Sequence, residues 1–410
     1  MKEEIIKNNR ELLINLLTAT LLTLIAFGIR VFILEHPNQL VFDEFYYVDA
    51  AQQIINDGID PNWIHPHVGK YIIGLGITIF GDNSFGWRIL GVILGSLTVF
   101  ITYYLSLELF NKKSAAIITS ILLLIDPLHF VQSRIAMLDI LFLPFVVLSF
   151  YCILRHFRNY RHYNKKTDNY SKWLILSGIS IGIGLTIKWS SAFSILGLLL
   201  IYIYYTRNEL EINNKIKIST KLIIIIANII LIPIIIFISS FVIDIYNGLT
   251  LKDWLTTQYS ILDFHSTVES IHPYESAAWT WILNFKPMAY YVNEVDNSII
   301  RAEGNNIAWW FALASIIYIS KKALYNGKIA VTIVICIAVQ YIPWFISPRI
   351  TYLFYFLPSL PFIYLASTYL LLILWSHNTK KIGLFLIIIY LISVATLFIY
   401  AFPTYIGLPR

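Results

Sequence analysis

LLINLLTATLLTLIAFGIRVFIL, residues 12–34, carries a single charge, Arg30, near its end. About 20 apolar residues in a helix cross a hydrocarbon core of roughly 30 Å, so the stretch reads as a membrane span. VFDEFYYVDA, residues 41–50, follows almost at once. It sets two adjacent acids, Asp43 and Glu44, at the membrane boundary among Phe42, Phe45, Tyr46 and Tyr47. The fold and the function both turn on why those acids are there.

The remainder of the chain repeats the first pattern. Of 410 residues, 58% are hydrophobic and 13% charged, and the mean hydropathy is +0.69. That excludes a soluble globular protein. Ten further apolar runs fall at 87–109, 114–130, 136–154, 172–187, 190–206, 219–242, 306–320, 328–346, 350–374 and 382–402. The expectation is an all-α polytopic membrane protein of eleven spans. The runs 172–187 and 190–206 are short and parted only by Lys188-Trp189, so one long kinked helix is the alternative there.

Charge placement favours eleven. Basic residues concentrate in cytoplasmic loops. With the N-terminus inside, those segments hold Lys2, Lys7 and Arg10, then Lys112 and Lys113, then Arg155, Arg158, Arg161, Lys165, Lys166 and Lys172. Arg207, Lys215, Lys217 and Lys221 follow, then Lys321, Lys322 and Lys328, and finally Lys380 and Lys381. Twenty of the thirty basic residues therefore fall in every second loop, which places the C-terminus outside. The net charge of +6 is a topology signal, and nucleic acid is not an expected partner; the bilayer is.

The first run is too long for a signal-peptide core and no small-residue cleavage site follows it, so it reads as a retained anchor. Cys152 and Cys336 fall inside spans, and neither a disulfide nor a metal framework is indicated. Asn169-Tyr170-Ser171 matches a glycosylation acceptor but lies in the most basic loop, on the wrong side. The organisation is one membrane domain, residues 1–410, with two elaborated external loops at 35–86 and 243–305. The chemistry is expected to face outward.

In the first loop Phe45, Val48, Ala51 and Ile55 recur at helical spacing opposite Asp49, Gln52, Gln53 and Asn56. This predicts an interfacial amphipathic helix starting just after the acid pair. The plain alternative makes the acids a solvated helix N-terminus, favoured by the helix dipole. Further on, His65-Pro66-His67-Val68-Gly69-Lys70 sets two histidines and a lysine around Pro and Gly. The histidines could ligate a divalent metal or bond to phosphate. Lys70 could contact a phosphate or snorkel to the interface.

Arg30, Arg88, Arg134 and Arg349 lie at the outer ends of spans, on the side of Asp43, Glu44 and Asp139. Any one of them could snorkel, but charges near the membrane core are costly unless paired or functional. Together they suggest an outward cavity with one acid and several phosphate-sized cationic sites. A carboxylate can take a proton from a hydroxyl, and cations can stabilise a departing phosphate. Sugar transfer from a lipid-linked phosphosugar to a hydroxyl needs those parts.

The chain then resembles the protein O-mannosyltransferases, multi-spanning GT-C glycosyltransferases that use dolichyl-phosphate mannose. Val41-Phe42-Asp43-Glu44 resembles their Asp-Glu motif, and His65 to Lys70 their HPPLGK signature. Gln132-Ser133-Arg134 through Leu138-Asp139 is similar to their SR-x-x-x-LD, and Thr186-Ile187-Lys188-Trp189 to their TKW. His272-Pro273-Tyr274-Glu275-Ser276 through Trp279-Thr280-Trp281 is similar to HPYxS-x-x-W-x-W. Gly304-Asn305-Asn306 with Trp309-Trp310, and Ser347-Pro348-Arg349 through Tyr355-Phe356-Leu357-Pro358, complete the order.

The resemblance implies a GT-C fold with an inside N-terminus and Asp43 as catalytic base, with Glu44 needed beside it. It implies that Arg30 and Arg88 serve the lipid phosphate, and we add His65, Lys70, Arg134, Asp139 and Arg349 as expected donor-site residues. The expected partners are a polyprenyl- or dolichyl-phosphate mannose donor and an acceptor polypeptide met during translocation. No metal is assigned, and no residue demonstrates an oligomer surface. His67 stands where the family has proline and Phe356 where it often has histidine. The 243–305 loop has no room for the MIR domains of fungal and animal members. That points to the short type in the plasma membrane of a bacterium or archaeon. Two other readings are carried forward: transfer to a lipid or cell-wall glycan, as in aminoarabinose transferases, and a transporter, which the absence of internal repeats disfavours.

Overall fold

The computed structural model describes residues 2–162, 171–210, 222–246, 248–267, 272–377 and 379–409. Lys165, Lys166, Lys215, Lys217 and Lys221, and most of the Asn169 acceptor motif, lie outside the described residues.

Helices occur at all eleven expected places. Among the described residues nine are long and apolar enough to cross a membrane, while those at Lys113–Leu124 and Lys172–Ile187 are shorter. In order they are α1 (Lys2–Val31), the loop helices α2 (Glu44–Asp57) and α3 (Val68–Phe80), then α4 (Ser84–Phe110), α5 (Lys113–Leu124), the short α6 (Pro127–Gln132) and α7 (Leu138–His162). The second half holds α8 (Ser171–Ile187), α9 (Phe193–Leu210), α10 (Leu222–Ser239), the external α11 (Val242–Tyr246) and α12 (Leu251–Thr267). It closes with α13 (Asn306–Leu324), α14 (Lys328–Tyr341), α15 (Leu360–His377) and α16 (Lys380–Ile406). Helices α4, α7 and α15 bury most of their surface and form the centre, whereas α1, α10 and α16 are largely exposed at the rim.

Two differences from the sequence reading, and one agreement, have local causes. The expected span 114–130 stops early, because Pro127 holds Asp126 extended (ψ 124°) and the Asp126 side chain then caps α6 at His129 N, 2.8 Å away. As expected, residues 172–206 form two helices and not one kinked span, with Lys188 extended (φ −154°, ψ 132°) and a 3-10 turn over Trp189–Ala192 between them. The chain is also not purely helical. The large external loop carries an antiparallel hairpin of β1 (Met288–Asn293) and β2 (Ser298–Ala302), paired from Met288↔Ala302 to Asn293↔Ser298.

Helix α2 exists as expected but is rotated about its axis. Its buried residues are Glu44, Tyr47, Val48, Ala50 and Ala51, while Phe45, Tyr46 and Ile55 are exposed. It ends at Gly58 in the left-handed region (φ 70°). Helices α3 and α4 then close on glycines: a Cβ on Gly76 would lie 2.3 Å from the Gly86 carbonyl oxygen. This tight pair delivers Arg88 to the acid-bearing loop.

Candidate active site

Between α1 and α2 the chain must run from a span into an acid pair without leaving its carbonyls unpaired in the interior. Two buried guanidiniums accomplish this. Arg134 donates to the carbonyls of Arg30 (2.5 Å), Phe32 (2.7 Å) and Ile33 (3.0 Å). Arg88 donates to those of Leu34 (3.1 Å), Pro37 (2.9 Å) and Gln39 (2.8 Å). Its remaining donors make a two-point contact with Glu44, Nε to Oε1 at 2.8 Å and Nη2 to Oε2 at 2.9 Å. All five Arg88 N–H groups are thereby spent on the protein.

Glu44 is equally saturated. Fully buried, it accepts from Arg88 and also from the backbone N–H of Val41 and of Ala136, each at 2.9 Å. It bolts the loop to α4 and to the start of α7. Arg30 is buried as well, with Nη1 to Ala26 O at 3.1 Å and Nη2 to Leu124 O at 3.1 Å and to His129 Nδ1 at 2.8 Å. Of the four boundary arginines, these three hold backbone or neighbouring side chains in place of offering a phosphate site.

Asp43 is the opposite case. It precedes α2 in helical conformation (φ −70°, ψ −2°) and its side chain caps nothing, so it is not a helix-start acid. Among the described residues no donor sits within hydrogen-bond distance of its carboxylate. Phe42 before it adopts φ +49°, a conformation costly for a bulky side chain. That cost is offset where the Phe42 ring stacks on Tyr290 (4.2 Å, 19°) and meets Phe354 edge-on (5.7 Å). The twist turns Asp43 toward Lys188 and Asp139, with the phenols of Tyr47, Tyr290 and Tyr355 around them. Burial pushes the Asp43 carboxyl up to about 6; Lys188 opposes the shift and Asp139 adds to it.

Lys188 reaches Asp139 Oδ2 at 2.7 Å from the extended residue between α8 and the 3-10 turn, and its ammonium lies 5.4 Å from the Tyr355 ring centroid. Lys188 and Tyr355 also line a cavity of about 480 Å³, as do His65, His265, Arg349, Ser190 and Ser347. Trp344, Phe193, Pro343 and Ile346 supply its apolar side. The His65 and His265 rings stack at 5.3 Å. Burial pushes His65 well below the usual imidazole range, and pushes His265 down to about 4, with Arg349 adding to the effect. Both are neutral at pH 7. Neutral His265 can then donate Nε2–H to Ile64 O (3.0 Å) while its Nδ1 accepts from Arg349. Arg349 also donates to the Tyr355 hydroxyl.

Lys70 is placed elsewhere than expected. It is fully buried and donates to the carbonyls of Asn62 (2.5 Å) and His65 (2.8 Å) and pairs with Asp60, so it shapes the loop that carries His65. His67 does not join His65 at the cavity wall; its Nδ1 lies 2.5 Å from Asp60. Among the described residues no group of three His, Cys, Asp or Glu is arranged to hold a metal ion. The later motifs are braces. Ser276 and Thr351 exchange hydrogen bonds (2.9 and 2.7 Å), which fixes the segment presenting Arg349. Asn305 caps α13 (3.1 Å to Ala308 N), and Trp309 donates to Asp126 (2.8 Å).

Sequence reasoning thus brought Asp43, Asp139, His65 and Arg349 to one place. It named Lys188 and Tyr355 only within motifs and Tyr47 only among the aromatics beside the acids, without a site role, and it did not single out His265 or Tyr290. Lys188 carried a usable signal, a lone cation between two apolar runs. Tyr290 sits on a strand that was not anticipated, and His265 had no local pattern.

Comparison with known proteins bears on the family and the fold. Residues 77–247 match the family model described as dolichyl-phosphate-mannose-protein mannosyltransferase, and residues 250–410 match that of the C-terminal four-span region of protein O-mannosyltransferase. A polyprenol-phosphate-mannose–protein mannosyltransferase of Mycobacterium tuberculosis is 24% identical over 90% of this chain and 83% of its own length. In fold, the chain is similar to the S. cerevisiae protein O-mannosyltransferase Pmt1-Pmt2 complex bound to the sugar donor. That likeness has a TM-score of 0.85 at 14% identity, over 97% of this chain and 90% of that one. It is also similar to ArnT from Cupriavidus metallidurans bound to undecaprenyl phosphate, with a TM-score of 0.61 at 14% identity over 86% and 59%. The fold is therefore that of the GT-C glycosyltransferases.

Proposed function

The chain belongs to the protein O-mannosyltransferase family, and on that premise we propose that it transfers mannose from a polyprenyl-phosphate donor to Ser or Thr hydroxyls of exported proteins. The observation that carries the reading is the pairing of a half-buried Asp43 carboxylate, without a hydrogen-bond partner among the described residues, with the adjoining Lys188–His65–Arg349 cavity.

Asp43 takes the proton of the acceptor hydroxyl as its oxygen attacks the anomeric carbon. The bond from that carbon to the phosphate oxygen breaks, and the polyprenyl phosphate leaves with the electron pair. Attack opposite the leaving group inverts the anomeric centre. Arg349 and Lys188 stabilise the phosphate charge that develops. Neutral His65 and His265 add polar contacts without competing for the proton. The apolar wall at Trp344 and Phe193 suits the start of the lipid chain. Asp139 holds Lys188, while Glu44, Arg88, Arg134, Arg30 and Lys70 hold the loops that position Asp43 and His65.

The alternation of basic loops supports a site on the outer face of a plasma membrane, and the two external loops, 35–86 and 243–305, form its roof. The test is transfer from defined polyprenyl-phosphate sugars to a Ser/Thr peptide by purified protein in lipid, with and without chelator. Mannosylated peptide from the mannose donor supports the proposal. Transfer to a lipid or glycan acceptor with none to peptide would instead favour the aminoarabinose-transferase type of reaction.

A further inference from the structure

A second cavity lies at the other end of the molecule. About 910 Å³ in volume, it sits between the N-terminal half of α1, the C-terminal end of α4 and the C-terminal end of α7. Arg88 and Glu108 on α4 are twenty residues apart, about 30 Å of helix, so this cavity and the acid-bearing loop lie one bilayer thickness apart.

Its walls are amphiphilic. Lys113, Arg155 and Arg158 provide the cations, and Leu12, Ile14 and Leu107 the apolar surface, with Tyr104 and Tyr151 between them. Glu11 and Glu108 are the opposing acids. Glu108 is already engaged by Arg155 (2.9 Å) and Arg158 (3.4 Å). Among the described residues the buried Arg155 Nε–H has no hydrogen-bond partner, and neither has the buried Glu108 Oε1. Helix α1 has little protein on its outer side, so the cavity adjoins the rim that lipid covers.

We propose that this cavity is a binding site for the phosphodiester headgroup of an anionic lipid in the leaflet opposite the active site. The lipid wedges α1 against α4 and α7. The unpaired Arg155 Nε–H, Arg158 and Lys113 receive the phosphate, and the apolar residues of α1 and α4 receive the first methylenes of the acyl chains. Basic pockets between spans at the cytoplasmic boundary are suited to this ligand class, and the three cations exceed the two acids by one, a surplus that a headgroup with net negative charge neutralises and a zwitterionic one does not. The assignment does not depend on which sugar the enzyme transfers.

Native mass spectrometry of purified protein exchanged into mixed phosphatidylglycerol and phosphatidylcholine tests it. The wild type is expected to retain phosphatidylglycerol over phosphatidylcholine. Retention should weaken about fivefold in R158Q, and by a further similar factor when K113Q is added. K113Q alters an exposed side chain, so its effect is readable even if R158Q folds poorly. Thermal stabilisation by phosphatidylglycerol but not by inorganic phosphate supports a lipid occupant. Equal retention of the two lipids, undiminished retention in K113Q, or the same stabilisation by inorganic phosphate would overturn the proposal.

Discussion

Asp43 and Glu44 are neighbours with the same chemistry and opposite fates. Glu44 spends both oxygens on Arg88 and on two backbone N–H groups. Asp43 spends neither and faces Lys188 and Asp139. The difference comes from the backbone. Helix α2 starts at Glu44 and turns it inward, while the left-handed Phe42 swings Asp43 to the other side. A carboxylate satisfied by the protein is a fastener, whereas one left without donors can take up a proton, the role we propose for Asp43. The same contrast separates saturated Arg88 from Arg349, which opens onto the cavity.

Four experiments press on that contrast. The largest effect is expected for Asp43→Asn. Loss of the base should cut transfer about 10²- to 10⁴-fold with an unchanged thermal midpoint, because no hydrogen bond of the fold is lost. Retained activity in a transfer assay would remove Asp43 from the mechanism. Glu44→Gln should do the reverse. It leaves Arg88 buried and unpaired, at a cost of about 3–5 kcal/mol, visible as a lower thermal midpoint and poor yield before any kinetic defect is measured. A fully stable but inactive E44Q would mean that Glu44 takes part in the chemistry itself.

Arg349→Gln should leave the melting curve nearly unchanged and lower kcat about a hundredfold, the usual consequence of removing one stabiliser of developing negative charge. An effect confined to KM would assign Arg349 to ground-state binding alone. The smallest effect is the pH dependence. A carboxyl held at about 6 must be ionised to accept a proton. kcat/KM should therefore be flat above that value and fall about tenfold per unit below it. A limb near 4, the ordinary carboxylate range, would show that Asp43 is not the group being titrated.

Hydropathy and charge alternation made the helical, membrane-spanning class legible, because span length and loop charge are local properties. Breaks inside spans were less legible. Asp126-Pro127 could have marked the end of α5, but the hairpin at 288–302 is held by packing on α16 and α6. Its strand carries Tyr290 to Phe42, and no local pattern announces that contact. Among the site residues, Asp43, His65, Asp139 and Arg349 were found from motif and boundary position. Arg30, Arg88, Arg134 and Lys70 were found by the same logic, yet the guanidinium ends of the arginines and the Lys70 ammonium are held by carbonyls and side chains that only the folded chain supplies.

The sequence by itself determined that this protein spans a membrane, which kinds of charge it keeps at the boundary and which family it resembles. The first two follow from composition, period and spacing, and the resemblance rests on the motifs and their order. The tertiary structure decided which of those charges are free to act. A side chain's availability depends on whether distant backbone groups have already claimed its donors or acceptors, and that is settled only when the loop, α4 and α7 meet around Glu44.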